Sequence, residues 1–390
     1  MSPGERGRFG SGVVTGLVAG LVLAALVAAL TGVLDRDDDG DATREAVETV
    51  EDNYFEEVDA RTLEDSSIDG MVRELRKRYE DRFSHYFTED QLEEFEAATS
   101  GRFSGVGLTV NEVPRGLRVA DVLPDTPAER SGIEPGDVIV AVDGESIAGV
   151  PSNASTARIK GPAGTEVTLR LIPVDGAKAR EVVVERADVR VPAVDGELRR
   201  VDGHDVAYVR FASFSEGAHG ELRQTIERLY REGAEGLVLD LRANGGGLLN
   251  EAVLSTSVFV DEGTVVSTES RTQGERDYEA VGDAIDPRPT VVLVNRDTAS
   301  AAEILTAALK NYDLATVVGT RTFGKGTFQE VIRLEEGGAL DLTIGQYLTA
   351  DGSSIAGEGV KPEVRTEDDP ETPSEDEALE RALTVLQQRL

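Results

Sequence analysis

The chain contains no cysteine. That excludes a disulfide framework, a thiolate zinc site and a cysteine nucleophile. Histidine is scarce: only His85, His204 and His219 occur, none in an HExxH pattern or beside a serine or aspartate motif. Lone histidines lack the ligand spacing that metals need, so each reads as a surface or packing residue. Metal catalysis and a Ser-His-Asp triad are both disfavoured. Positive charge is also in short supply. Against 74 Asp plus Glu stand 40 Lys plus Arg, a formal net charge of −34 over 390 residues. A basic nucleic-acid footprint is therefore missing, and DNA or RNA binding is disfavoured. The acid is interspersed with Arg, which reads as a solvated surface rather than an interaction tail.

What the chain does have begins with an uncharged apolar run, Val13 to Leu34, of 22 residues. As a helix it would extend about 33 Å, enough for a bilayer core. Arg6 and Arg8 precede it, while Asp35, Asp37, Asp38, Asp39 and Asp41 follow. The positive-inside rule then leaves residues 1–12 in the cytoplasm and places everything after residue 35 outside the cytoplasmic membrane. A cleaved signal peptide is the rival, but the run is long for one and no A-x-A site closes it.

Residues 35–102 read as a charged helical region, with apolar positions at Val47, Val50, Tyr54 and Val58, then at Met71, Leu75, Tyr79 and Phe83. Such a region could cap the core or form a self-association surface. Residues 103–190 change character to short β-like runs divided by turn signals such as PDTP, EPGD and GPAG, a compact β-rich domain. Residues 191–366 alternate strands with helices, including GLVLDLR (236–242), TVVLVN (290–295) and a helix from Ala299 to Asn311. That alternation argues a largely parallel α/β sheet. Residues 367–390 are a linker and a last helix, with Ser374 and Glu377 as a capping box.

The chemistry concentrates at 298–329. Ser300, Lys325 and Gln329 stand at intervals of 25 and 4 residues, in TASAAEI and RTFGKGTFQ. A hydroxyl and an amine can hydrolyse an amide bond without histidine, provided the amine is kept neutral. Ser300 lies at a strand-to-helix turn, where helix-start amides face a developing anion, so the Ala301 N–H is a candidate oxyanion donor. By itself Ser300 reads equally as the N-cap of an S-x-x-E box with Glu303. Lys325 sits in Phe-Gly-Lys-Gly, where glycines permit close approach and the apolar neighbour helps exclude water. In isolation it is a surface lysine; as a base it must be desolvated. Gln329 is an exposed strand residue or an amide that orients the amine. The glycine cluster DLRANGGG (240–247) is a tight turn, or a second source of oxyanion donors through Gly246. Gly319 to Lys325 nearly matches a Walker A loop, but Gly326 stands where Ser or Thr is required and a strand follows.

Taken together, these segments resemble the C-terminal processing (tail-specific) peptidases. The resemblance runs from about Asn53 to the last helix. It is carried by FSGVGLTV (103–110), PAERSGIEPGDVIVAVDG (127–144), DLRANGGG, NRDTASAAEIL (295–305), TRTFGKGTFQ (320–329) and ALDLTIGQYLTADGSSIAGEGVKPEV (339–364). It implies a mixed α/β catalytic core of the ClpP/crotonase-like type with an inserted PDZ domain at 103–190. Ser300 would be the nucleophile, Lys325 the general base and Gln329 the residue that positions it. The oxyanion hole would map to the amides of Ala301 and Gly246. Gly105, Val106, Gly107 and Leu108 would form the loop that captures a free carboxylate, with Lys160 nearby. Two departures stand out: Ala302 where the family often has Ser, and Gly245 where it often has Pro before the glycine pair.

The expectation is a membrane-anchored serine endopeptidase that recognises protein C-termini and cleaves with a Ser–Lys dyad. It would need no metal or organic cofactor, and a homodimer would form through the N- and C-terminal helices. The alternative is a catalytically silent PDZ-bearing scaffold of the same fold.

Overall fold

The computed structural model describes residues 41–335, 337–369, 372 and 375–390. The expected anchor at 13–34 lies outside them, as does Ser374. Among the described residues no helix is long and apolar enough to cross a membrane. The chain divides into two units at Thr88/Glu89.

The first unit holds α1 (Asp41–Asn53), α2 (Ala60–Tyr79) and a short strand, β1 (His85–Phe87). Asp59 caps α2 by accepting from the Thr62 N–H at 3.1 Å, which satisfies one of the helix-start donors. Tyr54, Phe55, Met71 and Tyr79 are exposed, with Phe55 at 81%.

In the second unit α3 (Glu89–Ser100) leads into β2 (Arg102–Gly105). A β-rich domain follows: β3 (Leu108–Val113), β4 (Gly116–Val122), α4 (Pro127–Arg130), β5 (Val138–Val142), β6 (Glu145–Ser146), α5 (Ser152–Ile159), β7 (Glu166–Ile172), β8 (Arg180–Glu185) and β9 (Ala187–Arg190). Its sheet runs β3-β4-β5-β7-β8, with β6 beside β5, and β9 returns to pair with β2. Alternate residues of these strands, among them Leu117, Val119, Ile139, Leu169 and Leu171, point into one core. β3 is left as an edge strand.

The remainder comprises β10 (Val194–Val201), β11 (His204–Phe211), α6 (Ala218–Arg231), β12 (Gly236–Asp240), α7 (Leu249–Ser257), β13 (Thr264–Ser270) and β14 (Gly274–Glu279). It continues with β15 (Thr290–Val294), α8 (Ala301–Asn311), β16 (Thr316–Gly319), β17 (Thr327–Arg333), β18 (Ala339–Thr349), β19 (Val364–Arg365) and α9 (Glu377–Gln387). The central sheet has the order β10-β11-β12-β15-β16-β19. Its pairs from β11 to β19 are parallel and the edge pair β10·β11 is antiparallel. β12 and β15 are buried at every position, and a parallel strand covered on both faces needs such an unbroken apolar run.

Each face has its own cover. Val209, Leu237, Leu239, Val292 and Val317 pack with α6 and α8 residues such as Leu222, Ile226, Ile304 and Leu305. The alternate residues Val206, Val238, Val291, Leu293 and Val318 pack with Ala378, Leu379, Ala382, Val385 and Leu386 of α9. The C-terminal helix therefore spends its apolar stripe on its own sheet. The expected Ser374 cap is corrected too: Asp376 is the N-cap of α9 and accepts from the Leu379 N–H at 2.9 Å.

Asp376 also receives the Arg242 guanidinium through two bonds of 2.7 and 2.9 Å, while Arg242 bonds Asp240 at 2.7 Å. Tyr208 donates to the same Asp240 carboxylate at 2.8 Å. Burial first, then Asp240, pushes the Tyr208 phenol up to about 12. Arg242 thus ties the end of β12 to the start of α9, just before the turn 243–247. Removing one member of so shielded a group leaves charge uncompensated. Arg242→Ala should cost about 3 kcal/mol in urea unfolding. A loss below about 1 kcal/mol would mean the cluster is solvated and weak.

Candidate active site

Ser300 occupies the turn between β15 and α8 with φ 55° and ψ −119°. A positive φ at a residue with a side chain stores strain, which persists only where surrounding bonds over-determine the backbone. They do so here. The Ala299 N–H donates to the Asn244 carbonyl at 2.9 Å, and Thr298 Oγ1 donates to the Leu241 carbonyl at 2.8 Å. The Phe323 N–H donates to the Thr298 carbonyl at 3.0 Å. The serine turn is thereby fastened to the glycine turn on one side and to the lysine loop on the other.

One carboxylate makes the second fastening stronger. Glu303, fully buried on the first turn of α8, accepts from the Ser300 N–H at 2.8 Å and the Lys325 N–H at 2.9 Å through one oxygen. Its other oxygen accepts from Thr322 Oγ1 at 2.5 Å and the Gly324 N–H at 2.7 Å. The cap expected between Ser300 and Glu303 is thus present in the Glu303-to-Ser300 direction. The same side chain also holds the loop 322–325 against it, which the sequence pattern did not reveal.

The glycines around Lys325 do what close approach requires. A Cβ on Gly326 would lie 2.4 Å from the Ala356 nitrogen, and one on Gly324 would lie 3.0 Å from the Gly359 nitrogen. The loop is pressed against 356–359. Phe323, however, is 45% exposed, so it does little to keep water away. Lys325 itself is half-buried. Burial lowers its pKa from the ordinary lysine value, while the carboxylates of Asp341, then Glu303, pull it back up.

Gln329 lies at a bulge in the β17·β18 pairing, directly opposite Thr343. Bulges re-aim a side chain, and the Gln329 Nε2 donates to Thr343 Oγ1 at 3.1 Å and Thr327 Oγ1 at 3.3 Å. Its carbonyl oxygen is then the atom suited to accept from an amine.

Two residues were expected to supply oxyanion donors. The Ala301 N–H, buried at the first position of α8, has no acceptor among the described residues. Gly246 is placed beside it: a Cβ there would fall 2.8 Å from Ser300 Cβ and 3.0 Å from the Ala301 nitrogen. Only glycine fits. The Gly246 N–H, however, already donates to Asn244 Oδ1 at 2.9 Å, which corrects the expectation of a free donor. Buried Asn244, whose Nδ2 donates to the Phe211 carbonyl at 2.8 Å, shapes this turn.

In the β-rich domain Gly105 ends β2, and Val106 is buried with its carbonyl accepting from the Ala128 N–H at 2.8 Å. Gly107 has φ 89°, and a Cβ on it would strike Thr126 at 2.3 Å. Leu108 opens the edge strand β3. Lys160 follows α5, whose last carbonyls are gripped by Arg186 through Ile159 at 2.8 Å and Arg158 at 3.1 Å. Lys160 and Leu108 line a cleft of about 1060 Å³ that reaches Ser213 and Ser215. Between those serines, the Phe214 N–H donates to the Gly246 carbonyl at 3.0 Å. The cleft therefore borders the segment 212–215, whose Phe214 backbone is bonded to the glycine turn.

His204 pairs with Glu235 at 3.0 Å and His219 with Glu251 at 2.8 Å.

Known proteins match this chain over most of its length. A model of peptidase family S41 matches residues 205–366, and a PDZ domain model matches 95–172. The carboxy-terminal processing protease CtpA of Bacillus subtilis is 34% identical over 328 residues, covering 84% of this chain and 69% of that protein. This chain belongs to the S41 carboxy-terminal processing proteases. It is a serine-type peptidase with a PDZ domain and a mixed α/β core. The carboxy-terminal-processing protease of Bartonella bacilliformis is 35% identical over 82% of the chain and 73% of its own length. Among solved structures, a photosystem II D1 C-terminal processing protease aligns with 31% identity and a TM-score of 0.50, covering 87% of this chain and 95% of that one. An S41 protease from Bacteroides fragilis, at 18% identity and a TM-score of 0.53, shares the fold.

Lys325 yields a titration test. The folded peptidase binds fewer protons than the unfolded chain between the lowered Lys325 value and 10.5. Lys325 therefore contributes a stability that is complete above 10.5 and is lost as pH falls through the lowered value. Followed by NMR of lysine ε-carbons, Lys325 should titrate below 10.5. Asp341→Asn should move its midpoint down by about one unit. An unmoved midpoint would place Asp341 outside the field of the amine.

Proposed function

We propose that the peptidase binds the C-terminal carboxylate of a protein at Gly105, Val106, Gly107 and Leu108, with Lys160 nearby, and cleaves the adjoining chain with a Ser300–Lys325 dyad. The observation that carries this reading is the Glu303 carboxylate, which holds the Ser300 and Lys325 backbones through one oxygen at 2.8 and 2.9 Å. Lys325 takes the Ser300 proton as the oxygen attacks the peptide carbonyl. The Ala301 N–H meets the oxyanion. Gly246 allows the close approach, and its own N–H becomes a second donor when the bond to Asn244 opens. Gln329 orients the amine through its carbonyl oxygen. The protonated amine then supplies the leaving group with its proton, and the free amine next activates the water that releases the acyl-enzyme.

Consecutive amides at a glycine turn suit a carboxylate, and the free edge of β3 can accept an extended peptide as an added strand. The apolar run 13–34, with arginines before it and aspartates after it, favours a retained anchor with the catalytic part outside the cytoplasmic membrane. A sheet layered with helices, with the serine at a helix start, suits a ClpP/crotonase-like core. The exposed aromatics Tyr54, Phe55 and Tyr79 suit self-association of the N-terminal region.

Ser300→Ala should abolish cleavage of an unstructured protein, and amidating that protein's C-terminus should weaken cleavage by the parent enzyme. Wild-type cleavage by the variant would refute the dyad, and a parent that cleaves nothing would leave the scaffold reading. Indifference to amidation would remove carboxylate capture from residues 105–108.

A further inference from the structure

The segment between β18 and β19 supplies no group to the dyad, yet it supports the loop that carries the lysine. Its Ile355 and Val360 are buried and cluster with Ala307 of α8, the helix that Ser300 caps. From that seat it reaches the loop through the backbone. The Gly357 N–H donates to the Gly324 carbonyl at 2.9 Å, and the Thr322 N–H donates to the Val360 carbonyl at 3.2 Å. A Cβ on Gly359 would fall 2.5 Å from the Thr322 carbonyl oxygen, so the two segments lie in contact.

Thr322 is where these supports meet, and it is only 4% exposed. Its hydroxyl accepts from the Val360 N–H at 2.7 Å and donates to Glu303 at 2.5 Å. An amide N–H can only donate and a carboxylate can only accept, so the group between them must do both at once, as a hydroxyl does. Packing does not ask for this: valine has nearly the shape of threonine and would fill the same space.

We propose that Thr322 is a positioning residue for the peptidase reaction, whose hydroxyl joins the 355–360 turn to Glu303 and thereby fixes where Lys325 stands relative to Ser300.

Glu303 holds the Ser300 and Lys325 N–H groups through one oxygen. Its other oxygen must keep the carboxylate from turning, and Thr322 with the Gly324 N–H provides that hold. Without the hydroxyl, the Val360 N–H is left buried with no acceptor on Thr322, and Glu303 loses one of its four donors. A buried donor without a partner is costly, so the turn and the loop would part or admit water. Either change reaches Lys325, three residues on. Burial is what lowers its pKa, while the carboxylates of Asp341 and Glu303 raise it. Returning water weakens the first effect, and a Glu303 with one donor fewer strengthens the second. Both push the amine back toward the ordinary lysine value.

The assignment rests on the dyad reading, and the experiment tells their failures apart. Thr322→Val keeps the shape and deletes the hydroxyl. Its kcat on an unfolded protein should fall on the order of 100-fold, as a displaced base does. KM should stay within about twofold, because Thr322 acts through the lysine and not on bound substrate. The pH at which kcat/KM rises should move up by about half a unit, and labelling of Ser300 by a fluorophosphonate should slow in parallel. Thr322→Ser, which restores the hydroxyl, should return kcat to within about threefold of the parent and the pH limb to its place. A merely structural role would lower the unfolding temperature and leave kcat and the pH limb unmoved, which would overturn the proposal. Equal losses in the Ser and Val variants would assign the effect to the methyl group and overturn it as well. Should the Val variant fold poorly, Thr322→Ala deletes the same hydroxyl and carries the same expectations. A Ser300→Ala enzyme that still cleaves would refute the dyad itself. A dead Ser300→Ala enzyme beside a Thr322→Val enzyme of parental activity would refute the role of Thr322 alone.

Discussion

Four donors converge on the buried carboxylate of Glu303: the N–H groups of Ser300, Gly324 and Lys325 and the hydroxyl of Thr322. The rest of the site depends on that convergence. Ser300 and Lys325 come from segments separated by β16, and neither backbone is held to the other by a strand ladder. A carboxylate offers two oxygens and about four acceptor positions, and here each has a donor. It also holds Ser300 at a positive φ that an unbraced serine would relax. The lysine loop gains nothing from regular structure, since its two glycines remove side chains so that it can lie against 356–359. Its location is set by what grips it.

Around this clamp the fold contributes rigidity in layers. The parallel strands end at the two turns that carry Gly246 and Ser300, which is where open α/β sheets place reacting groups. Arg242 fixes the first turn to α9, and α9 seals the sheet face away from the site. The antiparallel pair β17·β18 then carries Gln329 and Asp341, whose carboxylate acts on Lys325. A lysine in such surroundings loses solvation and keeps carboxylates nearby. Desolvation is the larger of the two effects, so the amine is left easier to deprotonate than in water.

Much of this was legible in the sequence, for definite reasons. The uniformly apolar GLVLD and TVVLV are recognisable because a strand buried on both faces has no polar alternation to confuse the reading. The serine and lysine stood out through their glycine and helix-start context. Glu303 was read only as a cap, because local spacing reveals an i,i+3 bond but not a tertiary one twenty residues downstream. Asp341 went unnoticed for a related reason. In ALDLTIGQYLT it looks like an ordinary member of a two-sided strand, and nothing local shows that its carboxylate acts on Lys325. The Gly246 N–H was read as free because nothing in the local pattern shows that the Asn244 side chain, two residues away, folds back onto that amide. The C-terminal helix, amphipathic in sequence, gave no sign of whether a partner or its own sheet covers it.

The most direct test of the clamp is Glu303→Gln. A carboxamide matches the shape but presents an NH2 to at least one of the N–H or O–H donors that the carboxylate accepts. Activity on an unfolded protein and reaction of Ser300 with a fluorophosphonate should both fall by on the order of 100-fold, with far-ultraviolet circular dichroism unchanged. A folded Gln variant that cleaves within about threefold of the parent would show that the serine and lysine do not need the shared carboxylate to meet.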